Sequence, residues 1–297
     1  MQENLFGTIL TIDYFRWSDQ ELIQLWLPTP MTTEQLTEEF KQASGQLKSY
    51  ILRITASAAD AEDIVQDTYI KATEKLHTFK GQSSLKTWLF AIASNLAKDN
   101  LRARKRWVEN VIDITKEAAL SNSQFFKEAM HIRASSPQGR FEIKEHIAFC
   151  FTCIAKSLPL EQQISILLKE IYEFKVNEIA QILDTTEAMI KYYLHTGRSK
   201  MITVFEGRCA LINKQGVCHQ CSELNGIFNP KQKFQEEVVK IDMAREAGKA
   251  GKEHLFDLRM KVVKGIDPFK SNAAELQLHH LEHNRQVMEK YLEKNIN

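Results

Sequence analysis

Apolar residues recur along most of this chain at spacings of three and four, the repeat that lines one face of an α-helix, and no run alternates well enough to make a convincing strand. Leu47, Tyr50, Ile51 and Ile54 form one such face, Ile64, Val65, Tyr69 and Leu76 a second, and Trp88, Leu89, Ile92 and Leu96 a third. Ahead of them, Thr32-Thr-Glu-Gln35 fits a capping box, in which a threonine hydroxyl and a glutamine side chain each satisfy a free backbone N–H at a helix start. A further stripe runs through Ile147, Phe151, Ile154 and Leu158. Val176, Ile179, Ala180 and Leu183 then mark a short helix, with Thr185 and Thr186 placed to cap the next one. Helical periods return in Phe234 to Ala247, Leu255 to Val263 and Ala273 to Leu292, after Asn229-Pro230. Residues 108–140, with Ser121-Asn-Ser123 and Ser135 to Gly139, have weak periodicity and turn-forming side chains and read as a linker. The expected fold is therefore all-α: a helical domain over 31–107, a second over 141–205, and a helical C-terminal extension over 206–297.

Composition narrows the class. Glycine (11) and proline (6) are scarce, as a helical chain requires. No apolar stretch approaches the roughly 18 residues that span a bilayer, and the start lacks the basic-then-apolar order of a secretory signal. A cytoplasmic protein without membrane insertion is expected. The formal net charge of +1 conceals a concentration of positive charge. Between positions 98 and 106, Lys98, Arg102, Arg104, Lys105 and Arg106 face a single acid, Asp99. Like charges so close repel one another unless an anion lies among them, which points to phosphate. Upstream, Asp60, Glu62, Asp63, Gln66 and Asp67 form a polar, mostly acidic segment. Taken alone, that is the ordinary solvated face of a helix.

The segment Asp60 to Ala72, followed by Phe79-Lys-Gly81 through Arg106, resembles bacterial RNA polymerase sigma factors of the extracytoplasmic-function type within the sigma-seventy family. A second block, Ala155 to Glu170, Val176 to Leu183 and Glu187 to Met201, is similar to that family's helix-turn-helix. The resemblance implies a sigma factor that binds core polymerase, recognises promoter DNA and helps open it. Asp60, Glu62, Asp63, Gln66 and Asp67 would then dock on the clamp of the beta-prime subunit. Trp88, Asn95, Lys98, Asp99, Arg102, Arg104, Lys105 and Arg106 would meet the minus-ten element, first as duplex and then as melted strand. Trp88 also fits a plain core position beside Ile92, whereas Asn95, a short amide among apolar neighbours, is the better candidate to capture an unstacked base. Thr186, Glu187, Lys191, Tyr192, Tyr193, His195, Arg198 and Lys200 lie on the helix that would enter the major groove at the minus-thirty-five element. The chain departs from the family's pattern at Asp184, where a turn glycine is common, at Tyr193, where an arginine is common, and at Gly197, where a small helix former is common. The linker implied by the family threads through polymerase, and an anti-sigma factor is an implied partner. The resemblance begins after residues 1–30, which are rich in large apolar groups and end in Pro28-Thr-Pro30 before Met31. That segment is either an accessory element or lies upstream of a natural start at Met31.

Five cysteines in a cytoplasmic protein argue against a disulfide framework and leave zinc, redox chemistry or packing open. Cys150 and Cys153 lie with His146 on a face apart from the Ile147 stripe, and Cys218 and Cys221 form a second Cys-x-x-Cys pair near Cys209. Two such pairs suit a tetrahedral structural zinc joining the extension to the second domain, though no cofactor is required. His279, His280 and His283 are read as solvated on a mixed-charge helix. The extension is expected to regulate the factor. No nucleophile–base arrangement or phosphate-binding loop marks an enzyme. Two rival readings are a free-standing helix-turn-helix regulator, which leaves the first domain unexplained, and a metal- or redox-responsive regulator in which the cysteines are essential.

Overall fold

The computed structural model describes residues 31–102, 107–135, 143–208, 252–272 and 274–295. The expectations for residues 1–30, Arg104, Lys105, Arg106, Cys218, Cys221 and the period from Phe234 to Ala247 fall outside them. Among the described residues the chain is helical, without strands. The helices are α1 (Thr33–Thr55), α2 (Ala58–Glu74), α3 (Leu85–Arg102), α4 (Val111–Leu120), α5 (Ser123–Ser135) and α6 (Ile143–Ala155), then α7 (Leu160–Ile166), α8 (Val176–Leu183), α9 (Glu187–Arg208), α10 (Lys252–Lys264) and α11 (Ala274–Asn295).

The expected capping box opens α1: the Gln35 backbone N–H donates to Thr32 Oγ1 at 3.3 Å, and the Thr32 N–H donates to Gln35 Oε1 at 2.9 Å. Ser57 caps α2, accepting from the Asp60 N–H at 3.2 Å. Helices α1 to α3 pack on Leu47, Ile51, Ile54, Ile64, Leu89 and Phe90, all buried. Tyr50, buried with them, satisfies its hydroxyl against Ser94 Oγ at 2.7 Å.

The segment read as a linker contains α4 and α5. Its inward residues on α4 are Val111, Thr115 and Ala119, a four-residue spacing carried by small or polar side chains and therefore faint as a hydrophobic signal. Ser121-Asn-Ser123 is the break between the two helices, and Asn122 accepts from the Phe125 N–H at 3.0 Å. The stripe Ile147, Phe151, Ile154 and Leu158 is buried as the sequence implies.

One core runs through both helical units and the extension. Helix α8 lies against α3, and α10 wedges against α6 and the π-turn Leu167–Ile171 that follows α7. Aromatic rings form the seam: Tyr172 meets Tyr50 edge-on at 5.4 Å between centroids, and Phe174 sits 4.9 Å from Phe90. Gln163 donates its side-chain N–H to the Arg53 carbonyl at 3.0 Å, and the Tyr172 hydroxyl donates to Ser49 Oγ at 3.1 Å.

Candidate nucleic-acid interface

Helix α2 presents Glu62, Asp63, Gln66 and Asp67 to solvent, with Glu62 paired to Lys48 at 2.6 Å. Asp60 departs from the expectation that it shares this face. It is buried, because it begins the four-residue stripe continued by Ile64, Thr68 and Ala72 that turns toward α1 and α3.

On α3, Asn95, Asp99 and Arg102 are exposed, and Arg102 pairs with Asp99 at 2.8 Å. Trp88 is half-buried, its ring 5.2 Å from that of Phe79, so it serves the local packing. Lys98 is turned toward the second unit. Burial lowers its pKa, while Glu161 and Asp184 oppose that by favouring the charged form.

The helix-turn-helix is assembled by local chemistry. Glu178 accepts from the Lys175 N–H at 2.7 Å to start α8. Asp184 ends it in the left-handed region (φ 51°, ψ 56°), the conformation for which glycine has the least steric cost. Thr186 then caps α9, accepting from the Met189 N–H at 3.2 Å. From that start Glu187, Lys191, Tyr192 and His195 project into solvent along one surface, together with Thr186. Tyr193 instead packs partly on the core. Gly197 lies close to α7: a Cβ there would stand 2.6 Å from Ile166 Cδ1. Farther along α9, Arg198 is held between Glu170 (2.6 Å) and Asp257 of α10 (2.7 Å), and Lys200 is paired with Glu109. Among the described residues expected to contact DNA, Asn95, Asp99, Arg102, Thr186, Glu187, Lys191, Tyr192 and His195 are exposed, Trp88 and Tyr193 pack partly on the core, and Lys98, Arg198 and Lys200 are engaged internally.

Cys150 is half-buried and Cys153 buried, with Asn284 of α11 donating to Cys153 Sγ at 3.7 Å. The face that the helical wheel set apart from the Ile147 stripe therefore receives α11. Among the described residues no group of three or more histidine, cysteine, aspartate or glutamate side chains is arranged to hold a metal. The three histidines of α11 are not solvated as expected. His280 is buried, and the rings of His279 and His283 stack on Phe125 at 5.2 and 4.1 Å. The cause is that α11 does not stand free but packs against α4, α5 and α6, so a histidine fills a position in its inward stripe.

Sequence reasoning passed over the groups that join the units to one another, Tyr172 and Phe174, and those that tie the extension to them, Asp257 and above all Arg53. The available signal for Arg53 was a lone charge inside the run Tyr50-Ile-Leu-Arg-Ile54.

The profile of Sigma-70 region 2 matches residues 40–107, and that of Sigma-70, region 4 matches 148–201. The first ends just past α3, and the second takes in α7 to α9. The ECF RNA polymerase sigma-E factor of Salmonella typhimurium is 31% identical over 158 residues, covering 53% of this chain and 74% of that protein. The ECF RNA polymerase sigma factor SigG of Mycobacterium tuberculosis is 25% identical over 193 residues, 57% of this chain, and this chain spans 47% of its length, about half. A crystal structure of the sigma factor RpoE with the anti-sigma factor NepR from Bartonella quintana aligns with a TM-score of 0.40 at 20% identity, over 58% of this chain and 98% of that one. No helix among the described residues is long and apolar enough to cross a membrane.

Proposed function

Because this chain belongs to the extracytoplasmic-function family of RNA polymerase sigma factors, we propose that it is a non-enzymatic initiation subunit that binds core RNA polymerase in the cytoplasm, recognises promoter DNA and promotes its opening. The observation that carries this reading is the occurrence of both family regions, in order, on a chain whose α2, α3 and α9 each keep a suitable polar face exposed. The α2 face of Glu62, Asp63, Gln66 and Asp67 docks on polymerase. Arg102, with Arg104, Lys105 and Arg106 beyond it, neutralises phosphate, and Asn95 is positioned to receive a base that has left the stack. Lys191, Tyr192 and His195 enter the major groove from the first half of α9, as a recognition helix does.

The experiment is reconstitution: purified chain with core RNA polymerase, transcribing genomic fragments in vitro. Initiation that depends on the chain and is lost on combined Arg102→Ala and Lys191→Ala substitution is expected. Failure to join core polymerase would instead favour a free-standing regulator.

The structure favours a second element of this reading, that the extension regulates the factor by holding it closed. Arg198 is tied to Asp257 of α10, Lys264 at the end of α10 pairs with Glu173, and Arg53 of α1 donates to the carbonyls of Val263 and Ile266. For α9 to offer Arg198 to phosphate, α10 must release it. Helices α3 and α9 must also be free to separate, since two promoter elements are read by two units that here share one core.

A further inference from the structure

A cavity of about 450 Å³ lies where α1, the turn after α7 and the end of α10 meet, and promoter recognition gives it no role. Arg53, Lys86, Lys264 and Lys270 face it, against Glu173 and Asp267. Lys264 is bonded to Glu173; Lys270, well exposed, lies 3.9 Å from Asp267, too far for a hydrogen bond; Arg53 and Lys86 make no ion pair among the described residues.

Arg53 is 1% exposed. Burying a guanidinium is costly unless partners compensate its charge. Nη2 donates to the carbonyls of Ile266 (2.7 Å) and Val263 (3.3 Å) and the Tyr172 hydroxyl lies beside the guanidinium, but Nε and Nη1 have no hydrogen-bond partner of good geometry. The Lys86 ammonium lies over aromatic faces, 5.1 Å from the Phe174 centroid and 5.8 Å from that of Phe90, with the Glu173 carboxylate near enough to feel its charge but in no ion pair with it. The backbone at the rim is irregular as well. Leu167–Ile171 forms a π-turn, and Glu173 takes a left-handed φ of 62° that a non-glycine residue adopts only where its surroundings impose it.

We propose that this cavity binds a small phosphorylated anion, with Lys86 and Lys270 contacting the phosphate oxygens and Arg53 supplying the buried charge beneath them. The volume falls within the roughly 300–1,000 Å³ of small-molecule sites, which suits a nucleotide-sized ligand better than a lone phosphate. The walls come from α1, α3, the turn before α8 and the extension, so an anion seated there ties the closed arrangement together. That consequence for promoter binding rests on the closed-form reading above; the binding itself does not.

Calorimetric titration of the full chain with inorganic pyrophosphate and with ATP, at fixed ionic strength and with citrate as a non-phosphate control, tests the site. Saturable one-to-one binding of a phosphate probe is expected, weakened about tenfold or more, equivalent to about 1.4 kcal/mol, by Lys86→Met or Lys270→Ser. Lys270 lies on the exposed rim, so its replacement leaves the core intact. No saturable heat with either probe, an affinity unchanged in both variants, or citrate bound as tightly as pyrophosphate would overturn the proposal. Promoter-dependent transcription surviving such a failure would leave the sigma-factor reading standing.

Discussion

Gly197 sits where α9 and α7 are closest. An added Cβ would lie 2.6 Å from Ile166 Cδ1 and 3.3 Å from Gln162 Cβ, and Ile166 is fully buried with nowhere to swing. Overpacking of this kind costs about 1–3 kcal/mol, which at a contact this short outweighs the roughly 1 kcal/mol that alanine gains over glycine inside a helix. Gly197→Ala is therefore expected to lower stability by up to about 2 kcal/mol in urea unfolding. Adding Ile166→Val, which removes the clashing Cδ1, should recover most of that loss. The position was legible as a departure from the family pattern, but its reason lies in a helix distant in sequence. Asp184 was more fully legible: a turn position favouring glycine is in fact left-handed, and a short acid tolerates it. Asp60 was misread because charge in a helix's first turn does not reveal which neighbours cover it. Its place on the Ile64, Thr68, Ala72 stripe was visible in the spacing, yet an aspartate at the head of that stripe is not what a hydrophobic period selects.

At the scale of elements, α10 and α11 were visible as apolar periods, whereas α4 was not, because threonine and alanine fill its inward face. Where α11 would pack was also hidden, and with it the setting of its histidines. His283 stacks on Phe125, and its pKa is lowered from the ordinary 6.5 chiefly by burial, with His279 and Lys290 adding to this and Glu128 opposing it. The unfolded chain takes up that proton first. The stabilising contribution is full above the unfolded value and is lost as pH falls through the lowered folded value. The melting temperature should drop on acidification from pH 7 toward 5, and His283→Gln should flatten that dependence. The α9–α10 contact makes a different prediction. Asp257 is half-exposed, so Asp257→Asn should change stability by less than about 1 kcal/mol. If Arg198 then turns to phosphate, the salt dependence of promoter binding should steepen by about one counterion, a change in log–log slope near −0.9 measured by fluorescence anisotropy. An unchanged slope would mean that Arg198 stays with Glu170.

For the molecule as a whole, the two units were readable separately, but their union in one core was not. The residues that join them, Tyr172 and Phe174 beside Tyr50 and Phe90, are aromatics that pattern alone assigns to the inside of either unit. This seam allows damage and release to be told apart. Phe174 is 4% exposed, and its replacement by alanine should cost about 3–5 kcal/mol of stability by both transfer and cavity effects. An ordinary core mutation of that size lowers every activity in proportion to the folded protein lost. If the closed arrangement opposes promoter reading, Phe174→Ala destabilises the closed state selectively and shifts the population toward the open one. Urea stability and promoter affinity, measured at a temperature where the variant remains folded, should then move in opposite directions: stability down, affinity up. A seam mutation that lowered both would count against a closed, self-restrained form. The opposite signs need both units to keep their own folds, which far-ultraviolet circular dichroism of the variant would verify, since Leu47, Ile51 and Ile54 in the first unit and Ile179 and Ile182 in the second remain buried in the shared core.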